Sequence, residues 1–316
     1  MQKLKNGEAK NNTARSHHYV PQGYLGNFTD TCTKEGKFFV LDVNSDHSFK
    51  TSPANVATMR DFNRIDIDGY SLDFLEKEFS KIENGAINAI RNTVVDGKLR
   101  NHEDFTFIMN LICLLAIRNP TLRQSFNNSR ETVLNLMADM LVSDKETWEK
   151  KFKAESNKEV AVNNEITFER MKEFVKGRKY KIEFNSESNL RYELKVFGEI
   201  LLLLGSRKWS LIVAPAEGPE FICSDHPVTL VHKKNQTGPL GFGLKNTEVF
   251  FPLSPNLGLF GVFESPLKSI IQAAPEFVAI LNSRTLINAK RHVFSRFKTF
   301  FMTFNGEVSE INCDIK

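Results

Sequence analysis

Thirteen residues near the start of the chain, Ser16-His17-His18-Tyr19-Val20-Pro21-Gln22-Gly23-Tyr24-Leu25-Gly26-Asn27-Phe28, carry two adjacent imidazoles, three aromatic rings and a proline. An imidazole has one donor and one acceptor nitrogen to satisfy and titrates near neutrality, so a neighbouring pair suits proton transfer or metal ligation better than a core. Either His18 works in a site or its ring ties this segment to a distant strand. A second candidate is Cys223-Ser224-Asp225-His226-Pro227, where a proline stops an apolar run and fixes an Asp and a His at a strand end. Contiguous Ser224, Asp225 and His226 cannot form a hydrolase triad among themselves, because those three groups converge from separate parts of a fold. They either act with partners elsewhere, or Asp225 is a turn former accepting backbone N–H bonds.

Two further features are charged. Glu76, Glu78 and Glu83 lie on one helical pattern, with Glu76 and Glu83 two turns apart and pointing in nearly the same direction. They are either solvated surface charge or a carboxylate pair. Arg118 stands before Asn119-Pro120 at the end of an apolar helix. It either caps the last carbonyls or projects a guanidinium into a pocket to hold a phosphate or carboxylate.

The elements that must position these groups are legible from periodicity. Residues 1–15 are Lys/Asn-rich and aperiodic, which predicts a disordered basic tail. Lys37–Asn44 reads as a strand, and the Asp68-Gly69 pair as a turn. Ser71–Val95 repeats apolar residues every three or four positions at Leu72, Leu75, Phe79, Ile82, Ala86 and Ile90, an amphipathic helix with Ser71 as N-cap. Asn101–Arg118 is apolar nearly all round and belongs inside a bundle. Thr121–Val142 is a third helix, 144–189 a charged helical insertion, and Leu190–Leu204 another apolar helix. From Lys208 short strands dominate, with a single helix over Pro275–Ala289 before a last strand, His292–Phe304. The fold class expected is α+β, an N-terminal helical bundle packed on a C-terminal, mostly antiparallel sheet. Residues 16–316 form a single domain.

Composition excludes several classes. With 316 residues, 41% hydrophobic and 25% charged, the chain can bury a large core. Its 27 Phe against 5 Tyr and 2 Trp read as core packing rather than a base-stacking surface. A net charge of +4 is too small to argue nucleic-acid binding alone, although Lys3, Lys5, Lys10 and Arg15 could supply a patch. Four scattered cysteines without a Cys-x-x-Cys pair indicate neither a zinc knuckle nor a disulfide framework, and fit a reducing cytoplasm. No secretory signal, membrane span, fixed-period repeat, glycine-rich phosphate loop or dinucleotide fingerprint is visible.

The chain resembles the bacterial Domain of Unknown Function 4238 family. The resemblance rests on His18-Tyr19-Val20-Pro21, Ser224-Asp225-His226-Pro227, the Leu75-Glu76 to Glu83 helix, Arg118-Asn119-Pro120, Pro252-Leu253-Ser254-Pro255, and the segment from Leu281-Asn282 to His292-Val293-Phe294-Ser295. In relatives the position of His226 is often Asn. The family supplies a site map and no reaction. On that map the boxes converge on one pocket, and the chemistry they support best is hydrolysis of a phosphodiester in nucleic acid, in a bacterial defence or toxin setting. His18 serves as general base or metal ligand, Asp225 and Glu83 bind a divalent cation, magnesium or manganese, and Arg118 holds the phosphate. His17, Tyr19, Ser224, His226 and Asn282 complete the substrate contacts. The competing readings are a non-catalytic module binding protein or nucleic acid, with His18 and Asp225 a buried pair, and a sensor of a small anionic ligand.

Overall fold

A computed structural model describes residues 16–45, 47–64, 71, 74–156, 167–233, 237–264 and 268–313. The basic tail and the Asp68-Gly69 turn expected above lie outside them. In chain order the elements are β1 (Ser16–His18), α1 (Gln22–Leu25), β2 (Phe38–Asp42), β3 (Ser48–Thr51), β4 (Thr58–Arg60), α2 (Phe74–Asp96), α3 (His102–Ile117), α4 (Pro120–Leu141), α5 (Lys145–Ser156), α6 (Phe168–Lys176), α7 (Ser186–Gly205), β5 (Lys208–Val213), β6 (Cys223–Ser224), β7 (Thr229–His232), β8 (Thr247–Ser254), β9 (Leu257–Val262), β10 (Ile270–Gln272), α8 (Pro275–Asn288), β11 (His292–Ser295), β12 (Thr299–Phe304) and β13 (Glu307–Asn312). The class is α+β. The chain divides into two compact units, one of residues 1–119 with 186–316, the other of residues 120–185.

In the larger unit the apolar helix α3 is the central one, with α2 and α7 packed against it. Asn101 starts α3 by accepting the Asp104 N–H at 2.7 Å, which satisfies one of the donors a helix N-terminus leaves open. Ile108, Leu111, Ile112 and Cys113 of α3 join Ala86, Ala89 and Ile90 of α2 in the main core. Seven phenylalanines, Phe28, Phe38, Phe62, Phe221, Phe250, Phe251 and Phe294, are among the largest fully buried side chains, so the Phe excess is core.

The strands do not make one sheet. A five-stranded sheet runs β10-β5-β9-β8-β7, antiparallel except for the β10/β5 pair, and a four-stranded antiparallel sheet runs β3-β2-β11-β6. The second joins the N-terminal strand β2 to β11, in register Val40 to Phe294. The long strand expected over His292–Phe304 is two, β11 and β12, separated at Arg296-Phe297-Lys298. Strand β13 then returns along β12 through Asn305-Gly306, both at positive φ, the geometry for which this dipeptide is favoured in a two-residue hairpin.

The smaller unit holds α4, α5 and α6. Its own cluster is Val142, Trp148 and Val175, with Phe168, Met171 and Tyr180 against them. Among the described residues no single helix is long and apolar enough to cross a membrane.

Candidate functional site

The fates of the two adjacent histidines are decided by β1. This strand pairs antiparallel with β4, His17 opposite Met59 and His18 opposite Thr58, and successive side chains on a strand leave by opposite faces. His17 turns inward. It is buried, and its Nδ1 accepts the Asn63 N–H at 2.8 Å, which fixes the loop after β4. Asn63 in turn donates its side-chain amide to Glu76 of α2. His17 is thereby linked through Asn63 to Glu76 of α2.

His18 turns the other way and lines a cavity of about 560 Å³. The Gln22 amide lies 3.3 Å from its Nδ1, while Nε2 is buried with no hydrogen-bond partner among the described residues. Burial lowers the pKa of His18 from its ordinary 6.5, against the opposing pull of the Ala54 and Pro53 carbonyls and of Glu76. The ring is accordingly neutral at pH 7 and can accept a proton.

One face of α2 forms the facing wall, with Glu76, Ser80, Glu83, Asn84, Asn88 and Arg91. Glu83 is pushed above its ordinary 4.5 by burial, with Arg118 pulling down and Glu76 pushing up. The remaining wall comes from Pro21, Gln22 and Gly23 and from Lys34. Gly23 packs closely on α2: a Cβ there would sit 2.4 Å from Ile87 Cδ1, so a larger residue would make that side chain shift.

Arg118 is buried behind this wall rather than part of it. Its guanidinium lies over the Phe79 ring at 4.1 Å, its Nη2 stands 3.6 Å from Glu83 Oε1, and it donates to the His18 carbonyl at 3.4 Å. The sequence left two uses open for Arg118, capping the last carbonyls or holding a phosphate or carboxylate. Its side chain is 3% exposed, so it acts instead by holding Glu83 against the histidine box.

The Asp225 box is different. Asp225 Oδ1 accepts the Lys290 N–H at 2.9 Å, and Oδ2 accepts those of Arg291 at 2.8 Å and His292 at 3.3 Å. The Asp225 N–H returns to the His292 carbonyl at 3.0 Å. The carboxylate thus latches the α8–β11 loop to the end of β6, the turn-forming alternative, and it is not on the cavity wall. The shared cation site expected of Asp225 and Glu83 is not assembled. Among the described residues no three His, Cys, Asp or Glu side chains are placed to hold a metal.

The neighbouring residues expected to contact substrate are likewise engaged within the fold. Ser224 is sealed in the core and accepts the His226 N–H at 3.1 Å. Asn282 is fully buried, accepting from Ile222 N–H at 3.1 Å and donating to the Glu220 and Phe301 carbonyls at 2.8 and 2.9 Å. Its amide is consumed in bracketing α8 to the sheets. His226 is largely buried, lowered in pKa by burial, with Asp225 opposing and Lys290 assisting. Tyr19, which is also off the cavity lining, lies within electrostatic reach of Asp225. Burial first and then that charge push its hydroxyl well above a phenol's ordinary value.

What ties the histidine box to the sheets is Tyr24. It is fully buried, donates its hydroxyl to the Pro252 carbonyl at 2.7 Å and stacks on Phe251 at 5.0 Å. Gln22, Lys34, Ser80, Asn84, Asn88 and Arg91 were not singled out from the sequence. The available signal was the polar row beside the apolar stripe of α2, at 76, 80, 84, 88 and 91. No curated protein and no solved structure matches the chain. A family model does match, over residues 16–299, and by that match the chain belongs to the DUF4238 family, proteins of unknown function.

Proposed function

We propose that the His18 cavity is the site of a phosphodiester hydrolase acting on nucleic acid. The observation that carries the reading is that a neutral imidazole and a carboxyl raised toward its protonated form line one cavity. A base must be unprotonated and an acid protonated at the same pH, and the two shifts act in that direction. The neutral imidazole of His18 has one unprotonated ring nitrogen, the lone pair a base needs. His18 takes a proton from water as its oxygen bonds to phosphorus. Glu83 delivers its proton to the leaving oxygen as the P–O bond breaks. Solvent then restores both groups. Arg118, paired with Glu83, is a positioning residue. Cation dependence is part of the proposal, and magnesium or manganese would be held at the cavity by Glu76, since Glu83 is kept for the proton and Asp225 is off the wall.

The test is cleavage of single-stranded RNA and DNA by the purified chain, in magnesium, manganese and EDTA. His18→Ala and Glu83→Gln should each lower the rate by roughly 10²–10⁴-fold, with the fold intact by circular dichroism. Activity surviving both substitutions, or absent from folded protein under every condition, would leave the cavity as the binding site of a non-catalytic module.

A further inference from the structure

The cavity is electrically polar along α2. Its acidic end is Glu76 and Glu83, its middle the amides of Asn84 and Asn88, and its far end Arg91. At about 1.5 Å of rise per residue, Arg91 stands about 12 Å along the helix from Glu83. Arg91 is exposed and has no hydrogen bond or ion pair among the described residues, and Lys34, also on the wall, meets only its neighbour Glu35, at 3.9 Å in solvent. Two cations on the cavity wall are not neutralised across it, and Arg91, the one at this end, is a planar fork suited to phosphate oxygens. An anion there is also far from the repulsion of Glu76.

We infer that Arg91 and Lys34 form a subsite for a second, uncleaved phosphate of a single-stranded nucleic acid. The inference rests on the hydrolase reading for the position of the scissile phosphate, beside His18 and Glu83. A 12 Å offset corresponds to roughly three phosphates at the ~3.4 Å axial spacing of a stacked strand, and to fewer in an extended one. The substrate class is therefore an oligonucleotide of at least three nucleotides, not a mononucleotide or an isolated diester. Cavity size agrees, since about 560 Å³ falls in the range of small-ligand sites and admits a strand segment but no duplex. Asn84 and Asn88 lie between the two phosphates, where carboxamides can donate to and accept from bases or sugars.

The experiment measures binding and cleavage separately. Anisotropy of 5′-labelled oligouridylates and oligothymidylates of two, four and eight nucleotides is read at several salt concentrations, for the wild type, Arg91→Ala, Arg91→Lys and Lys34→Ala. Tetranucleotides should bind about tenfold tighter than dinucleotides, and Arg91→Ala should remove most of that ratio. It should also reduce the salt slope by roughly 0.7, while Arg91→Lys retains the slope. Equal binding of two and four nucleotides, or an unchanged slope in Arg91→Ala, overturns the subsite. Length-dependent, Arg91-dependent binding without cleavage supports the subsite and removes the hydrolase reading alone. His18-dependent cleavage indifferent to Arg91 does the reverse.

Discussion

The histidine box and the Ser-Asp-His-Pro box look alike in sequence, each a short polar cluster pinned by a proline, yet they are opposite kinds of structure. At the second, the carboxylate of Asp225 is filled by three backbone N–H groups and Ser224 is spent on its own turn. At the first, His18 keeps a buried nitrogen without a partner at the edge of a cavity, beside a carboxyl held toward protonation. A buried polar group costs free energy unless it is hydrogen-bonded, so a saturated cluster is maintained by stability alone. An unsaturated one needs another reason to exist. Residue type therefore says less about function than the number of hydrogen-bonding positions left open.

The most forceful way to break this contrast is Asp225→Ala. Hydrogen bonds to a charged acceptor contribute about 1.5–3 kcal/mol each, and three N–H donors would lose theirs together, so we expect about 3–5 kcal/mol of lost stability in chemical denaturation. Asp225→Asn does not spare the turn. Its NH2 would face an N–H donor on one side, so about 2–3 kcal/mol should still be lost. A folded, near wild-type Asp225→Asn protein that is specifically inactive would restore Asp225 to the site.

Arg118→Ala comes next and bears on the other region. It strands Glu83 without its cation and empties the space over Phe79, and removing one partner of a buried pair typically costs about 3 kcal/mol. Glu83→Gln removes the buried charge and should cost less. Loss of the cation should also raise the pKa of Glu83 further and, because activity needs Glu83 protonated, shift the alkaline limb of the pH–rate profile upward. A stability loss with no such shift would make Arg118 purely structural.

Part of this difference was readable in the residues. The helices were, because α2 and α3 carry long, unmixed periodic patterns that packing then honours. The division of labour between His17 and His18 was not, since it depends on a three-residue strand whose partner, β4, lies some forty residues on. Asp225 misled for a similar reason: its partners are backbone N–H groups sixty-five to sixty-seven residues away, and main-chain donors leave no mark in a sequence. Asn282 repeats that lesson. The Asn305-Gly306 hairpin, by contrast, had a local signal, and β13 was within reach of it.

A pH titration sharpens the comparison more gently. Burial lowers His18 at the cavity and His226 and His292 near the latch from 6.5, so the unfolded chain binds protons more readily at all three. The stability they contribute is fully present above pH 6.5 and is lost as pH falls toward their folded values. Glu83 has the opposite sign, its contribution being present below 4.5 and lost as pH rises through its raised folded pKa. Catalysis needs His18 neutral and Glu83 protonated. The rate should therefore be bell-shaped, rising as pH climbs through the lowered pKa of His18 and falling as it passes the raised pKa of Glu83. A flat profile would remove the acid–base assignment.

The smallest expected effect is at His226, and it tests whether an imidazole beside Asp225 does any work. His226 also has an Nε2 without a partner among the described residues, which on its own would put it with His18. The surroundings differ. It is not on the cavity wall, its N–H is held by Ser224 Oγ at 3.1 Å, and its carbonyl accepts the Asn288 amide at 2.7 Å. Those contacts belong to the main chain and survive substitution. Asn keeps a polar group of shorter reach and removes the cost of charging a buried ring, so His226→Asn should change stability by about 1 kcal/mol or less at pH 7. Below pH 6.5 the variant should become the more stable of the two, because the wild type then begins to charge in its unfolded state. A large loss of cleavage in folded His226→Asn, with that acid-side gain absent, would place the second box in the site after all.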